Sequence, residues 1–158
     1  MNKIVNVQKS VKIAINLRKI GKRIVLVGGV FDILHIGHIR FLQKAKKSGD
    51  ILFLLLESDE SVRKSKGEKR PINSRKDRAQ ALAALQTVDF VIILKGLLKN
   101  EDYDKIVKLI RPTVLATTAK DPKIVHKIRQ AKLTGAKVKI VLRRLKSKST
   151  SILLKKYE

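Results

Sequence analysis

The chain predicts an α/β fold: a single domain built on a doubly wound, parallel five-stranded sheet. Short β-branched or leucine-rich runs recur along its length, and amphipathic helical stretches separate them. With 158 residues, 44% of them apolar, there is material for one compact core but little for two.

Residues 7–20 read as a basic helix stopped at Gly21, where a left-handed cap is expected. They make residues 1–21 an N-terminal helical extension ahead of a main domain, 22–158. The run "RIVLVGG" at 23–29 is a buried strand. Helix 36–48 follows, with Ile39, Leu42 and Ala45 on one face and Gly49 closing it. "ILFLLLES" at 51–58 is continuously apolar at first, as in a parallel strand covered on both sides. The stretch "DESVRKSKGEKRPIN" reads as a polar loop, and Asn73 as the N-cap of a helix over 74–86. Strand 88–94, helix 102–110, strand 113–117, helix 122–134 and strand 137–142 complete the alternation. A last short helix is expected to start near Ser149.

A sheet of this kind binds ligands beyond the carboxyl ends of its strands, where strand order reverses. The stretch "VGGVFDILHIGHIRFL" at 27–42 sits at such an end and runs into a helix. A helix start offers unpaired N–H groups and a positive dipole end, suited to an anion. Gly29 permits close backbone approach, and Gly37 a tight path between His35 and His38. Three residues apart, both imidazoles can face one phosphate chain whose charge grows during displacement.

Composition narrows the classes. Lys and Arg number 37 against 13 Asp and Glu, a formal charge of +24. The cations are spread along the chain and the few aromatics do not interleave with them. A solvated, lysine-rich surface is therefore expected, with weak nonspecific polyanion binding, rather than a stacking platform for single strands. There are no cysteines, which removes disulfides, thiolate metal sites and thiol nucleophiles. No apolar run is long enough for a bilayer crossing and no signal-like stretch opens the chain, so a cytoplasmic location is expected. Helix 7–20 is also a candidate homodimer contact, though its Val7, Val11, Ala14 and Ile15 could equally pack on the protein's own sheet.

"GVFDILHIGH" matches the G-x-F-D-x-x-H-x-G-H signature of the cytidylyltransferase-like nucleotidyltransferases through Gly29, Phe31, Asp32, His35, Gly37 and His38. The segment "SDESVRKSKGEKRPINSRKDRAQALAALQTVDFVI" resembles the central part of bacterial heptose-phosphate adenylyltransferases. It is similar, more loosely, to glycerol-3-phosphate cytidylyltransferase. The resemblance implies a Rossmann-like sheet and transfer of an adenylyl or cytidylyl group from ATP or CTP to a phosphorylated small metabolite. A sugar or polyol phosphate is the favoured acceptor. Pyrophosphate leaves, and Mg²⁺ is carried by the triphosphate.

Carried over by position, His35 and His38 stabilise the triphosphate, and Lys66 holds acceptor or α-phosphate oxygens. Gly29, Val30, Phe31 and Gly37 form the nucleotide loop. Arg144 with Ser149, Thr150 and Ser151 stands at the family's last phosphate turn. Asp32 either orders the loop or touches the metal. Arg78 matches a helix arginine of the family, with an exposed or a structural role as the alternative. Ser147 and Lys148 depart from the glycine and apolar residue expected in that turn. "LATTAKDPKIVHK" replaces the family's V-K-G-x-D-Y-like segment; it leaves base and acceptor open and offers Thr117, Thr118 and Asp121 as contacts to base or ribose. His126 is read as a surface residue, and "ESDE" at 57–60 as a solvated strand end. The reading from another class is a catalytically idle nucleotide- or RNA-binding module.

Overall fold

The computed structural model describes residues 1–143 and 154–155. Arg144, Ser147, Lys148, Ser149, Thr150 and Ser151, and the expected start of the last helix, lie outside the described residues.

Among these residues the order is β1 (Ile4–Val5), α1 (Val7–Lys19), β2 (Ile24–Gly29), α2 (Ile36–Lys46), β3 (Ile51–Leu56), α3 (Asp59–Lys66), α4 (Arg75–Ala83), β4 (Phe90–Ile93), α5 (Asn100–Ile110), β5 (Val114–Ala119), α6 (Ile124–Thr134) and β6 (Lys137–Arg143). All strand pairs are parallel, in the order β1-β4-β3-β2-β5-β6. The expectation of five strands is corrected to six. The sixth is β1, which pairs with the outer edge of β4 through Ile4 and Val5. A two-residue strand carries no periodicity of its own, so sequence pattern passes it by. The segment expected as a helical extension thus also joins the sheet.

Alternation along the central strands sorts the core into two layers. Val25 and Val27 of β2, with Leu52, Leu54 and Leu56 of β3, face Phe41, Leu42 and Ala45 of α2 and Ala79 and Leu82 of α4. Ile24, Leu26, Phe53 and Leu55 point the other way, toward Ala14 of α1, Ile106 and Ile110 of α5 and Ala131 of α6. Helices on both faces leave β2 and β3 dry, which is why these strands are apolar without alternation in sequence.

The helix ends follow local chemistry. Asn6 caps α1, its side chain accepting from Lys9 N–H at 2.8 Å. Gly21, at φ 73°, lets Lys22 N–H return to the Leu17 carbonyl, as expected of that glycine. In α4 the cap is Ser74 rather than Asn73, because Asn73 is engaged elsewhere. The stretch expected as a loop contains α3. It is capped by Ser58, opens on Asp59 and Glu60, and ends on Arg63, Lys64 and Lys66, the charge order a helix dipole favours. Only Val62 of α3 is buried, so no apolar stripe announced it.

Candidate active site

β2 is flanked by β3 on one side and β5 on the other, so strand order reverses between β2 and β5. A cleft of about 570 Å³ opens there, at the carboxyl ends of the strands. Gly29, Val30, Phe31, Asp32, His35, Gly37, His38 and Lys66 all line it. The described residues of the proposed site are therefore brought together around one space.

His35 occupies the N-cap of α2, and its Nδ1 accepts the Gly37 N–H at 3.1 Å. That bond leaves the proton of the neutral ring on Nε2. His38, one turn on, stacks against His35 with ring centroids 3.8 Å apart and 24° between planes. Phe31 closes the other side of His38 at 5.1 Å. Burial, and then the neighbouring His35, pull the His38 pKa down from 6.5 to about 4, against the opposing pull of the Ile33 carbonyl. An anionic phosphate chain against the pair reverses that balance, so ligand binding and ring protonation are linked.

The same shift predicts a stability profile. The unfolded chain takes up the His38 proton near pH 6.5 and the folded one only near pH 4. Stability is therefore expected to fall as pH drops through that window, by up to about 3 kcal/mol from this ring. Chemical denaturation at pH 7, 5.5 and 4 checks it. A His38→Gln protein should lose that part of the slope, and an unchanged slope would refute the assignment.

The loop before α2 is held under tension. Phe31 adopts φ 47°, unusual for a bulky side chain, and its ring folds back over Gly29. A Cβ on Gly29 would stand 2.8 Å from that ring. Two anchors impose this path. Asp32, its side chain fully buried, takes Arg70 Nε at 2.7 Å and the N–H groups of Ile72 and Asn73 at 2.9 Å, while Asn73 Nδ2 donates to the Asp32 carbonyl at 2.8 Å. Burial pushes the Asp32 pKa up, but the N–H groups of Asn73 and Ile72 and the Arg70 guanidinium outweigh it and leave it low. These hydrogen bonds are what the loop-ordering reading of Asp32 expects.

Arg78 is the second anchor. Its side chain is fully buried, and it donates to the carbonyls of Val30 at 2.7 Å, Glu57 at 3.0 Å and Asn73 at 3.1 Å, and to Asp59 at 2.7 Å. The structural alternative for Arg78 is the one the geometry supports.

On the β5–α6 side the cleft meets Thr117, Thr118, Lys120, Asp121, Lys123 and Lys127. Asp121 is held by Lys127 Nζ at 2.6 Å, Thr117 Oγ1 at 2.5 Å and Lys123 N–H at 2.8 Å. Asp121 thereby ties the end of β5 to the first turn of α6. His126, expected at the surface, is half-buried at the cleft and lies 3.0 Å from Arg129. The β5–α6 turn folds the first turn of α6 back over the strand ends, a placement that chain pattern does not encode. On the β3 side, sequence reasoning missed Glu57 as a lining residue, together with Tyr103 and Asn100 of α5. Among the described residues no three His, Asp or Glu stand together as a metal cluster.

A six-stranded Rossmann-like sheet with a histidine pair opening the helix at its reversal point defines a nucleotidyltransferase domain. The chain belongs to the cytidylyltransferase-like family, whose profile matches residues 26–155. It is 48% identical over 104 residues to the bifunctional protein HldE of Aliarcobacter butzleri, and 47% identical over 100 residues to that of Nitratiruptor; these matches cover 66% and 63% of the chain. It spans only 21% of the length of either relative. Among solved structures it is similar to a lipopolysaccharide core biosynthesis protein of Thermoplasma volcanium. That match has TM-score 0.63 and 31% identity, and covers 78% of this chain and 98% of the other. It also shares its fold with a pantoate-beta-alanine ligase of Francisella tularensis, with TM-score 0.66 and 18% identity over 93% of this chain and 69% of the other. Among the described residues no helix is long and apolar enough to cross a membrane.

Proposed function

We propose that this chain transfers a nucleotidyl group from ATP or CTP to a phosphorylated sugar, releasing pyrophosphate. The observation that carries the reading is the stacked pair His35 and His38 at the α2 start, inside the cleft where strand order reverses. Likeness to the HldE proteins and to a lipopolysaccharide core biosynthesis protein supports a sugar phosphate acceptor, and the bacterial heptose-phosphate resemblance favours ATP over CTP.

In the proposed reaction an oxygen of the acceptor phosphate attacks the α-phosphorus. A P–O bond forms to the acceptor as the bond to the β-phosphate breaks, and pyrophosphate leaves with the electron pair. No proton has to move and no covalent enzyme intermediate is required. Catalysis is then positioning and charge stabilisation. The histidines donate to oxygens that gain charge, and the backbone of Val30 and Phe31 approaches the α-phosphate. Lys66, exposed at the end of α3, swings onto acceptor oxygens as a flexible point charge.

Mg²⁺, when bound, neutralises triphosphate charge. The carboxylates of Asp32 and Asp121 are already committed to protein donors, so the donor set suits an ion carried on the triphosphate. Such a reaction draws on nucleotide pools of the cytoplasm, the location we propose.

The test is pyrophosphate release by the purified protein, with ATP and CTP in turn and a panel of sugar and polyol phosphates. We expect release with one nucleotide–acceptor pair and its loss on chelation by EDTA. Silence with every pair would refute the reading. RNA binding that falls steeply with log[salt], with no nucleotide turnover, would favour the idle-module alternative.

A further inference from the structure

The cleft has two unlike wings. On the β5–α6 side the lining includes Lys120 and Lys123, both exposed, and Lys127, paired with Asp121, a basic rim suited to the polyphosphate. On the other side, at the end of β3, stands a carboxylate. Three acidic side chains line the cleft: Asp32 is paired with Arg70, and Asp121 with Lys127. Among the described residues Glu57 has no cationic partner, in a chain of formal charge +24. Its side-chain partners are hydroxyls. Tyr103 Oη lies 2.9 Å from Oε1 and 2.7 Å from Oε2, and Ser61 Oγ donates to Oε2 at 2.9 Å.

We infer that Glu57, held by Tyr103 and Ser61, is a specificity residue that accepts hydrogen bonds from hydroxyl groups of the acceptor, selecting a polyhydroxylated phosphate. The inference rests on the nucleotidyl-transfer reading above. A carboxylate offers about four acceptor positions, and a single phenol proton and a single serine proton leave capacity at Oε1. A negative group there repels phosphate, so it does not serve the triphosphate. It does suit the uncharged, hydroxyl-rich body of a sugar or polyol whose phosphate reaches Lys66, at the far end of the α3 helix that follows Glu57.

The group is also built to be still. Glu57 N–H donates to the Gly29 carbonyl at 3.2 Å, and Arg78 grips its own carbonyl. Burial, and then the Glu57 charge, push the Tyr103 pKa upward, so the phenol remains a donor across the working range. A hydroxyl pattern read by a fixed acceptor discriminates strongly, because an analogue lacking the hydroxyl leaves a committed polar group unpaired.

The test uses the full chain and whichever acceptor it turns over fastest, chosen from hexose and heptose 1-phosphates and glycerol 3-phosphate. Its deoxy analogues and phosphoethanolamine are run beside it. In the wild type we expect kcat/KM to fall at least tenfold for a deoxy analogue. In Glu57→Gln the acceptor KM should rise about tenfold, the ATP KM should hold, and the gap between parent and deoxy acceptor should shrink. Tyr103→Phe, which frees the carboxylate without removing it, should raise the acceptor KM severalfold while again sparing the ATP KM. It is the second arm if Glu57→Gln does not fold. Unchanged acceptor KM and unchanged discrimination in the folded variants would overturn the inference while leaving nucleotidyl transfer intact. Preference of the wild type for phosphoethanolamine would overturn it too, since the carboxylate would then be reading an ammonium. A wild type silent with every acceptor would overturn the underlying reading and this inference together.

Discussion

Replacing His38 with alanine is expected to cut nucleotidyl transfer by at least about a hundredfold while the fold survives. A preorganised donor aimed at developing charge is worth roughly 10²–10³ in turnover. His38 has the setting for it: its ring is fixed between His35 at 3.8 Å and Phe31 at 5.1 Å. The loss should fall on kcat more than on the nucleotide KM, because the charge it meets grows only as pyrophosphate departs. His38→Asn, which keeps a donor, should recover part of the rate. His35→Ala is expected to be less selective. It also removes the cap on α2, at a cost of about 1 kcal/mol. Steady-state pyrophosphate release, with thermal unfolding of the same preparations, checks these expectations. Near wild-type turnover from folded His38→Ala protein would rule out the site as drawn.

Arg78→Ala is expected to give the largest loss of stability, on the order of 3–5 kcal/mol. The side chain is fully buried and joins α4 to the Val30 carbonyl, the Glu57 carbonyl, the Asn73 carbonyl and Asp59. Truncation strands those acceptors in a space that water does not readily fill, and removes the partner of Asp59. Lysine should not rescue it, since one ammonium cannot span the fork that three carbonyls and a carboxylate require. Turnover should drop as well, because Val30 precedes Phe31, whose φ of 47° the clamp helps to hold. Urea denaturation measures the effect; a loss under about 1 kcal/mol would show that the contacts are dispensable. The two variants separate two jobs. His38→Ala is expected to reduce turnover at nearly constant stability, whereas Arg78→Ala reduces both.

That one stretch lines the cleft was legible because the stretch is local. Gly29, Phe31, Asp32, His35, Gly37 and His38 lie in one short stretch, and the helix that follows orients them without distant help. The histidine stacking, the strained Phe31 and the partners of Asp32 were not legible. Each depends on what the loop meets across the fold, above all the chain at 70–73. The helix α3 was missed because it buries too little to leave a periodic mark.

By itself the sequence determined the α/β class, nearly every element and the chemistry offered at the end of β2, because apolar runs, caps and a contiguous motif act over a few residues. Tertiary structure alone decided that Ile4 and Val5 extend the sheet, that Arg78 reaches back 48 residues to Val30, and that Tyr103 meets Glu57 across 46. Those pairings follow from the order in which parallel strands dock, β1-β4-β3-β2-β5-β6. Strand order is settled by burying both faces of the sheet at once, a condition that no local stretch of residues can express.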